Sequence, residues 1–418
     1  MSTENWARNI GFGAAQVALP ESVDEVQELV ASNPVVRTVG AAHSFNDICS
    51  TSGVLLDLAR IDQVIHIDPQ ARTVTAGGGI RYHQLCQALH DAGWALHNLM
   101  SIPHFSVAGA CSTATHGSGD DNGGLATAVR EIELVNGTGE LVSWDRSDPE
   151  FAGAVISLGA LGAITRLTLD IQPTFDMAQE LLLDLPVSAA IDDLDEIMAS
   201  AYSVSYFTDW QGDTVNQLWR KHRLDWPSTP ATSAAYKEAA PATVELLPND
   251  EPGEGMVTPQ LMRPGPWHQR LPHVHPSFSL PTGGELQSEY FVRREHGREA
   301  LAALASPSSA ALFGPVIRRA EIRTVLGDDA WLSPFRGDTL ALHFSWDIDA
   351  GPQLVEVLPA LEDLLAPFDA LPHWGKLHTM SPAVVRAGYP RFDDFAALVA
   401  RQDPERRFRN SYLDQLLG

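Results

Sequence analysis

Over the first 175 residues, hydrophobic and polar positions switch between a helical period and short apolar runs. ESVDEVQELVAS (21–32) has the spacing of an amphipathic helix, and β-rich runs follow at 35–40 (VVRTVG), 53–58 (GVLLDL), 63–68 (QVIHID) and 72–79 (RTVTAGGG). A triple glycine opens a second helical stretch, RYHQLCQALHDAG (81–93), and REIELVNGTGELVSW (130–144) predicts a hairpin turning at Asn136 and Gly137. The pattern is mixed α/β. No G-x-G-x-x-G follows a strand, so any nucleotide cofactor must be held by something other than the doubly wound fold's fingerprint. From about 176 the segments lengthen and lose regularity, and a Pro-, Gly- and Thr-rich stretch at 225–284 reads as surface loops. Strands return at 286–292, 320–326 and 339–348, separated by helices at 297–307 and 351–368; residues 392–418 read as a helix and a short tail. This pattern predicts two domains, 1–175 and an α+β unit at 176–380, with 381–418 packing back on the first.

Composition narrows the partners. A length of 418 residues, 44% of them hydrophobic and 19% charged, fits a packed globular chain with more than one core. Lys and Arg number 28 against 53 Asp and Glu, a formal charge of -25 that no basic cluster interrupts. Nucleic acid and anionic membrane are therefore poor partners, and a neutral ligand suits the site better than an anionic one. Cys49, Cys86 and Cys111 cannot close a disulfide framework and form no C-x-x-C pair, which suits a reducing, cytoplasmic setting. The first residues show no basic-then-apolar signal pattern, and no stretch approaches the roughly 18 apolar residues of a membrane span. HVH at 273–275 has no third ligand, so no metal is expected there.

Four stretches have the glycines and small hydroxyl residues that let backbone amides close on a pyrophosphate: VGAAHSFND (39–47), AGGGIRYHQL (76–85), SIPHFSVAGACSTATHGSG (101–119) and SLGALGAITRLTLDI (157–171). In this order and spacing they resemble the FAD-binding domain of the vanillyl-alcohol-oxidase type of flavoprotein. SYFTDW, GPWHQRLPH, GGELQSEY, AEIRTV, LHFSW, PHWGK and DPERRFRNSYL extend the similarity over nearly the whole chain. They are most similar to the alditol (xylitol) oxidases, with sugar-lactone oxidases as cousins. The resemblance implies a two-domain α+β fold whose substrate (cap) domain is built on a large antiparallel sheet. It also implies FAD bonded covalently to His43, with Gly40, Ala41, Ala42, Ser44, Phe45, Ser101, Ser106, Gly109, Thr113, Thr115, His116, Gly162, Ile164 and His373 around it. Ser101 is expected nearest the flavin ring, and Met100 before it is either a gate for oxygen or core packing. Ala42 departs from the glycine that the family often carries before this histidine.

Strand alternation sends Glu321 and Arg323 to one face, and likewise His343 and Ser345. Oxidising a primary alcohol means removing a hydride from carbon and a proton from its hydroxyl. Arg323 stays charged and can only polarise and orient; Lys376 and His343 are the candidate bases, and Lys376 can equally polarise the hydroxyl. Glu321, Ser345 and Ser101 supply donors and acceptors suited to a polyol. The implied reaction takes an alditol to its aldose and reduces oxygen to hydrogen peroxide. The alternatives are a sugar-1,4-lactone oxidase or dehydrogenase, or a carbohydrate-binding flavoprotein without turnover. The presence of Glu321, Arg323 and Lys376 together argues against the last.

Overall fold

The computed structural model of the chain describes residues 3–226, 238–278 and 282–418. Of the loops expected at 225–284, positions 227–237 and 279–281 lie outside the described residues. The first helical stretch forms Val23–Ser32: Ser22 Oγ accepts from the Glu25 N–H, Asp24 and Glu25 meet the positive end of the helix dipole, and Val26 and Val30 form the buried face. Val36–Val39 and Val54–Asp57 join Gln16–Ala18 in a parallel three-stranded sheet. Val64–Asp68 and Thr73–Gly77 instead enter an antiparallel five-stranded sheet with Gly162–Asp170, Val129–Asn136 and Leu141–Asp145. The hairpin forms, but its connection is the loop 137–140 rather than a tight turn at Asn136 and Gly137. Asn136 Oδ1 accepts from the N–H groups of Thr138 and Glu140, and Gly139 takes φ 83°.

The second half is dominated by a ten-stranded sheet. Its central strands lie in the order Asp176–Pro186, Thr214–Arg223, Ser203–Thr208, Ile317–Leu326, Thr339–Asp347, Glu285–Arg293, all antiparallel. Gly119–Gly123, from the first half, pairs in parallel with Ile317–Leu326. The sequence pattern does not mark the strands between 176 and 223; Ser203–Thr208 is buried at every position, so its polar residues face the interior rather than solvent. On one face Tyr206, Leu218, Tyr290, Ile322, Leu342, Phe344 and Trp346 pack under helices that include Leu194–Met198, Gly297–Leu304 and Leu354–Leu365. The other face carries polar side chains, with Ser205 opposite Arg323, and His343 opposite both Glu321 and Glu289.

From residue 382 there are three helices, Pro382–Ala387, Phe392–Gln402 and Ser411–Leu417, where the pattern suggested one and a tail. Val385, Phe395, Leu398 and Leu413 share a core with Val74, Leu134 and Leu167 of the five-stranded sheet, and Phe408 packs with Val36 and Val54 of the parallel one. Arg37, fully buried, donates to the carbonyls of Ile48, Leu158, Gly159 and Phe408. No helix among the described residues is long and apolar enough to cross a membrane.

Candidate active site

Gly40 ends the strand Val36–Val39 where the loop crosses Ser106; a Cβ there would lie 2.0 Å from the serine Oγ. The chain then bends through Ala42 at φ 55°, in the left-handed region. The bend delivers the His43 ring between Trp6 and Phe105, each 4.5 Å away by ring centroid, with Phe45 edge-on at 5.6 Å. His43 Nε2 is closed off from solvent and has no hydrogen-bond partner among the described residues. Burial, reinforced by Lys376, lowers the His43 pKa to about 3, so the ring is neutral near pH 7 and one nitrogen keeps its lone pair.

An alanine in the left-handed region costs about 1–2 kcal/mol, whereas glycine there would lose only about 0.4–1 kcal/mol through the unfolded chain. Ala42→Gly should therefore raise the unfolding free energy by about 0.5 kcal/mol. Urea denaturation of the two proteins checks it, and an unchanged or lower midpoint contradicts the strain.

His43 helps wall a cavity of about 550 Å³ between the polar face of the large sheet and the loops of the first half. Gly40, Ala41, Ala42, Ser44, Ser101, Ser106, Gly109, Thr113, Thr115, His116, Gly162, Ile164 and His373 line it as well. Phe45, expected beside the cofactor, is set back from the wall: it is buried behind the His43 ring, and its N–H donates to Gly375 O. Met100 both packs in the core and reaches the wall. Gly78 and Gly79 bring the loops into backbone contact, since a Cβ would strike Ile164 O at 1.9 Å or Leu58 O at 1.8 Å. A cavity of this size walled by glycine-rich backbone, with a solvent-shielded, unpartnered imidazole nitrogen beside it, fits FAD.

At the sheet end of the cavity, Glu289 joins the polar groups together. Its Oε1 lies 3.1 Å from His116 Nε2 and 3.1 Å from Arg323 Nη2; its Oε2 lies 2.7 Å from Lys376 Nζ. Burial opposes its ionisation, but Lys376 and His116 outweigh that and hold its carboxyl well below the ordinary range. Lys376 Nζ also donates to His343 Nδ1 at 2.6 Å, and His343 Nε2 meets Ser345 Oγ at 3.2 Å. Burial, then Lys376, lowers the His343 pKa to about 4, so His343 is neutral with its lone pair already taken by Lys376. Burial likewise lowers the pKa of Lys376, against the opposing pull of Glu289. Glu321 Oε1 is 2.7 Å from His273 Nε2 and 3.4 Å from Arg323 Nε. Burial raises the Glu321 pKa, but Arg323 and His273 hold it well below the usual value.

The structure brings Ser101, Glu321, Arg323, His343 and Lys376 to this wall, Glu321 and Arg323 side by side as the parity of their strand predicts. Ser345 is not on it. Fully buried, it lies between His343 and Glu285 and fixes the imidazole rather than facing the cavity. Sequence reasoning missed Glu289, although the alternation that singles out Glu321 and Arg323 also puts Glu285, Gln287 and Glu289 on one face of Glu285–Arg293. It also missed His273, which binds Glu321.

Four polar groups on this wall keep unused hydrogen-bonding capacity among the described residues: Lys376 has two partners for three N–H donors, and Arg323 Nη1, Glu321 Oε2 and Ser101 Oγ have none. Two carboxylates, Glu289 and Glu321, offset two cations, Arg323 and Lys376. The constellation is therefore nearly neutral and rich in hydroxyl-binding groups.

Fold and site together define an FAD-dependent oxidoreductase of the vanillyl-alcohol-oxidase type. A family model described as FAD binding domain matches residues 14–145, and one described as D-arabinono-1,4-lactone oxidase matches 285–416. Alditol oxidase of Streptomyces sp. is 44% identical over 99% of this chain and 98% of its own length, so the chain belongs to the alditol oxidase family. L-gulono-1,4-lactone dehydrogenase of Mycobacterium tuberculosis is 29% identical over 99% of the chain and 98% of its own. A solved solvent-stable cholesterol oxidase shares the fold, with a TM-score of 0.79 at 19% identity over 99% of this chain and 97% of that one.

Proposed function

We propose that the protein oxidises the terminal primary hydroxyl of an alditol such as xylitol or sorbitol to the aldose, while molecular oxygen is reduced to hydrogen peroxide. The observation that carries this reading is the set of unused groups on Lys376, Arg323, Glu321 and Ser101 around one nearly neutral cavity. Bound FAD supplies the two-electron acceptor. Lys376 and Arg323 lower the pKa of the reacting hydroxyl, and Lys376, held between Glu289 and His343, is placed to give a proton to the neutral His343 Nδ1 as it takes the hydroxyl proton, so that its own charge is unchanged. Glu321 Oε2 and Ser101 Oγ bind hydroxyls further along the substrate. Residues 1–175 with 381–418 serve the cofactor and 176–380 the substrate. Three free thiols support a cytoplasmic setting.

The lactone oxidase match at 285–416 keeps a second reading open, because the substrate-side strands lie in that segment. Anaerobic addition of xylitol, sorbitol or L-gulono-1,4-lactone to the yellow protein separates them. Bleaching by a polyol supports the first reading; bleaching by the lactone alone replaces it with the second.

The unpartnered, neutral His43 ring supports a covalent histidyl–flavin bond. After acid precipitation the yellow colour should stay with the wild-type pellet and leave with the supernatant for His43→Ala. Colour released from the wild type would refute the bond.

A further inference from the structure

We propose that Lys221 is a positioning residue, which orients Glu321 toward the substrate by fixing the tautomer of His273 and anchors the loop that holds Ser101. The proposal rests on the polyol reading of the site. Lys221 projects from Thr214–Arg223 on the polar face of the sheet and is 1% exposed. None of the ion pairs among the described residues includes it. Its ammonium instead meets three acceptors, Leu271 O at 2.5 Å, Pro272 O at 3.1 Å and His273 Nδ1 at 3.0 Å. An ammonium has three donors and no lone pair, so all its capacity is used and Nδ1 must accept.

The proton of the neutral imidazole then sits on Nε2, 2.7 Å from Glu321 Oε1, and donates to it. The opposite tautomer would set a lone pair against the carboxylate. The rings of Phe207 and Trp219 pack edgewise on His273, at centroid distances of 5.5 and 4.9 Å, and prevent the ring from swinging away. Engaging Oε1 in this way leaves Oε2 for a ligand hydroxyl. The same loop holds Ser101 at its backbone, because the N–H groups of His273 and Val274 both donate to Ser101 O. One buried cation thus sets the position of two substrate-facing groups, although it does not itself line the cavity. Burial lowers the Lys221 pKa to about 7, so the charged ammonium that fixes this tautomer prevails below neutral pH, where the tautomers are to be compared.

The test compares wild type, Lys221→Met, His273→Gln and His273→Phe as holoenzymes. In ¹⁵N-histidine-labelled protein, with the His273 signals assigned by their loss in His273→Gln, the wild type should show the Nε2–H tautomer and Lys221→Met a mixture or the Nδ1–H form. With xylitol, Lys221→Met and His273→Phe should raise KM at least about tenfold with kcat within about threefold, the split expected when binding orientation alone is lost. His273→Gln, which keeps an N–H near the Nε2 position, should recover most of the KM. An unchanged tautomer in Lys221→Met, or a changed tautomer with wild-type KM, overturns the proposal. If Lys221→Met does not take up flavin, the His273→Gln and His273→Phe pair decides: equal KM values overturn it. If neither xylitol nor sorbitol bleaches the wild type, the polyol reading fails, and the tautomer measurement alone then supports or overturns the link from Lys221 to His273.

Discussion

Lys376→Ala and Arg323→Ala should each slow anaerobic bleaching of the flavin by polyol at least about a hundredfold, while the proteins remain yellow. A preorganised charge at a reacting centre typically supplies about 2.7–4 kcal/mol, and both groups face the cavity with donors unused by the protein. The two substitutions should differ in detail. Removing Lys376 also frees His343 Nδ1, so His343→Ala added to Lys376→Ala should cost little more. Arg323 contacts both carboxylates, so its loss should also weaken polyol binding. Rapid-mixing reduction rates over a range of xylitol concentrations measure both effects. Near-wild-type limiting rates in the two single variants would move the reacting centre elsewhere.

The largest effect on stability should come from Glu289. It is 1% exposed and shared by Arg323, Lys376 and His116, so Glu289→Ala strands the buried Lys376, leaves Arg323 with Glu321 alone and should cost about 3–5 kcal/mol in equilibrium unfolding. Because its carboxyl is held well below the ordinary value, its contribution is present in full above the unfolded carboxylate pKa and is lost as pH falls toward the lower folded one. Wild type should therefore lose part of its advantage over Glu289→Ala on acidification, a difference that denaturation series at neutral and acid pH would reveal. A penalty below about 1 kcal/mol at neutral pH would mean that the cations find other partners.

Legibility along the chain followed burial. Val23–Ser32 and Tyr82–Asp91 were readable because one face of each meets water and the other a core. The strands at 176–186, 203–208 and 214–223 were not, because polar residues such as Gln179, Ser205, Gln217 and Lys221 are buried there and do not mark a face open to water. On the site side, strand parity was enough to group Glu321 with Arg323, and it took the family resemblance of four small-residue stretches together to mark His43. Glu289 carried the same parity signal but sat in a stretch read for its strand and its family resemblance, with no role given to its carboxylates. Nothing in the local sequence could have joined Lys221, His273 and Glu321, because their contact exists only once three segments far apart in the chain have packed. Phe45 and Ser345 show the converse limit: a motif marks a neighbourhood, and packing decides which of its side chains face the ligand.

Arg37 has a consequence for how the chain is made. Its guanidinium gathers carbonyls from Ile48, Leu158, Gly159 and Phe408, while Asn410 Nδ2 donates to Asp47, Ile48 and Ser50 just beyond the His43 loop. That loop is pinned further by Asn46 Nδ2 on Trp374 O and by Phe45 N–H on Gly375 O. During synthesis His43 emerges well before Trp374, Phe408 and Asn410, the residues that hold its loop in place. The flavin pocket is thus completed only after Phe408 and Asn410 have emerged, and a nascent chain halted before Phe408 would carry every loop glycine of the pocket yet hold a buried arginine short of one of its acceptors.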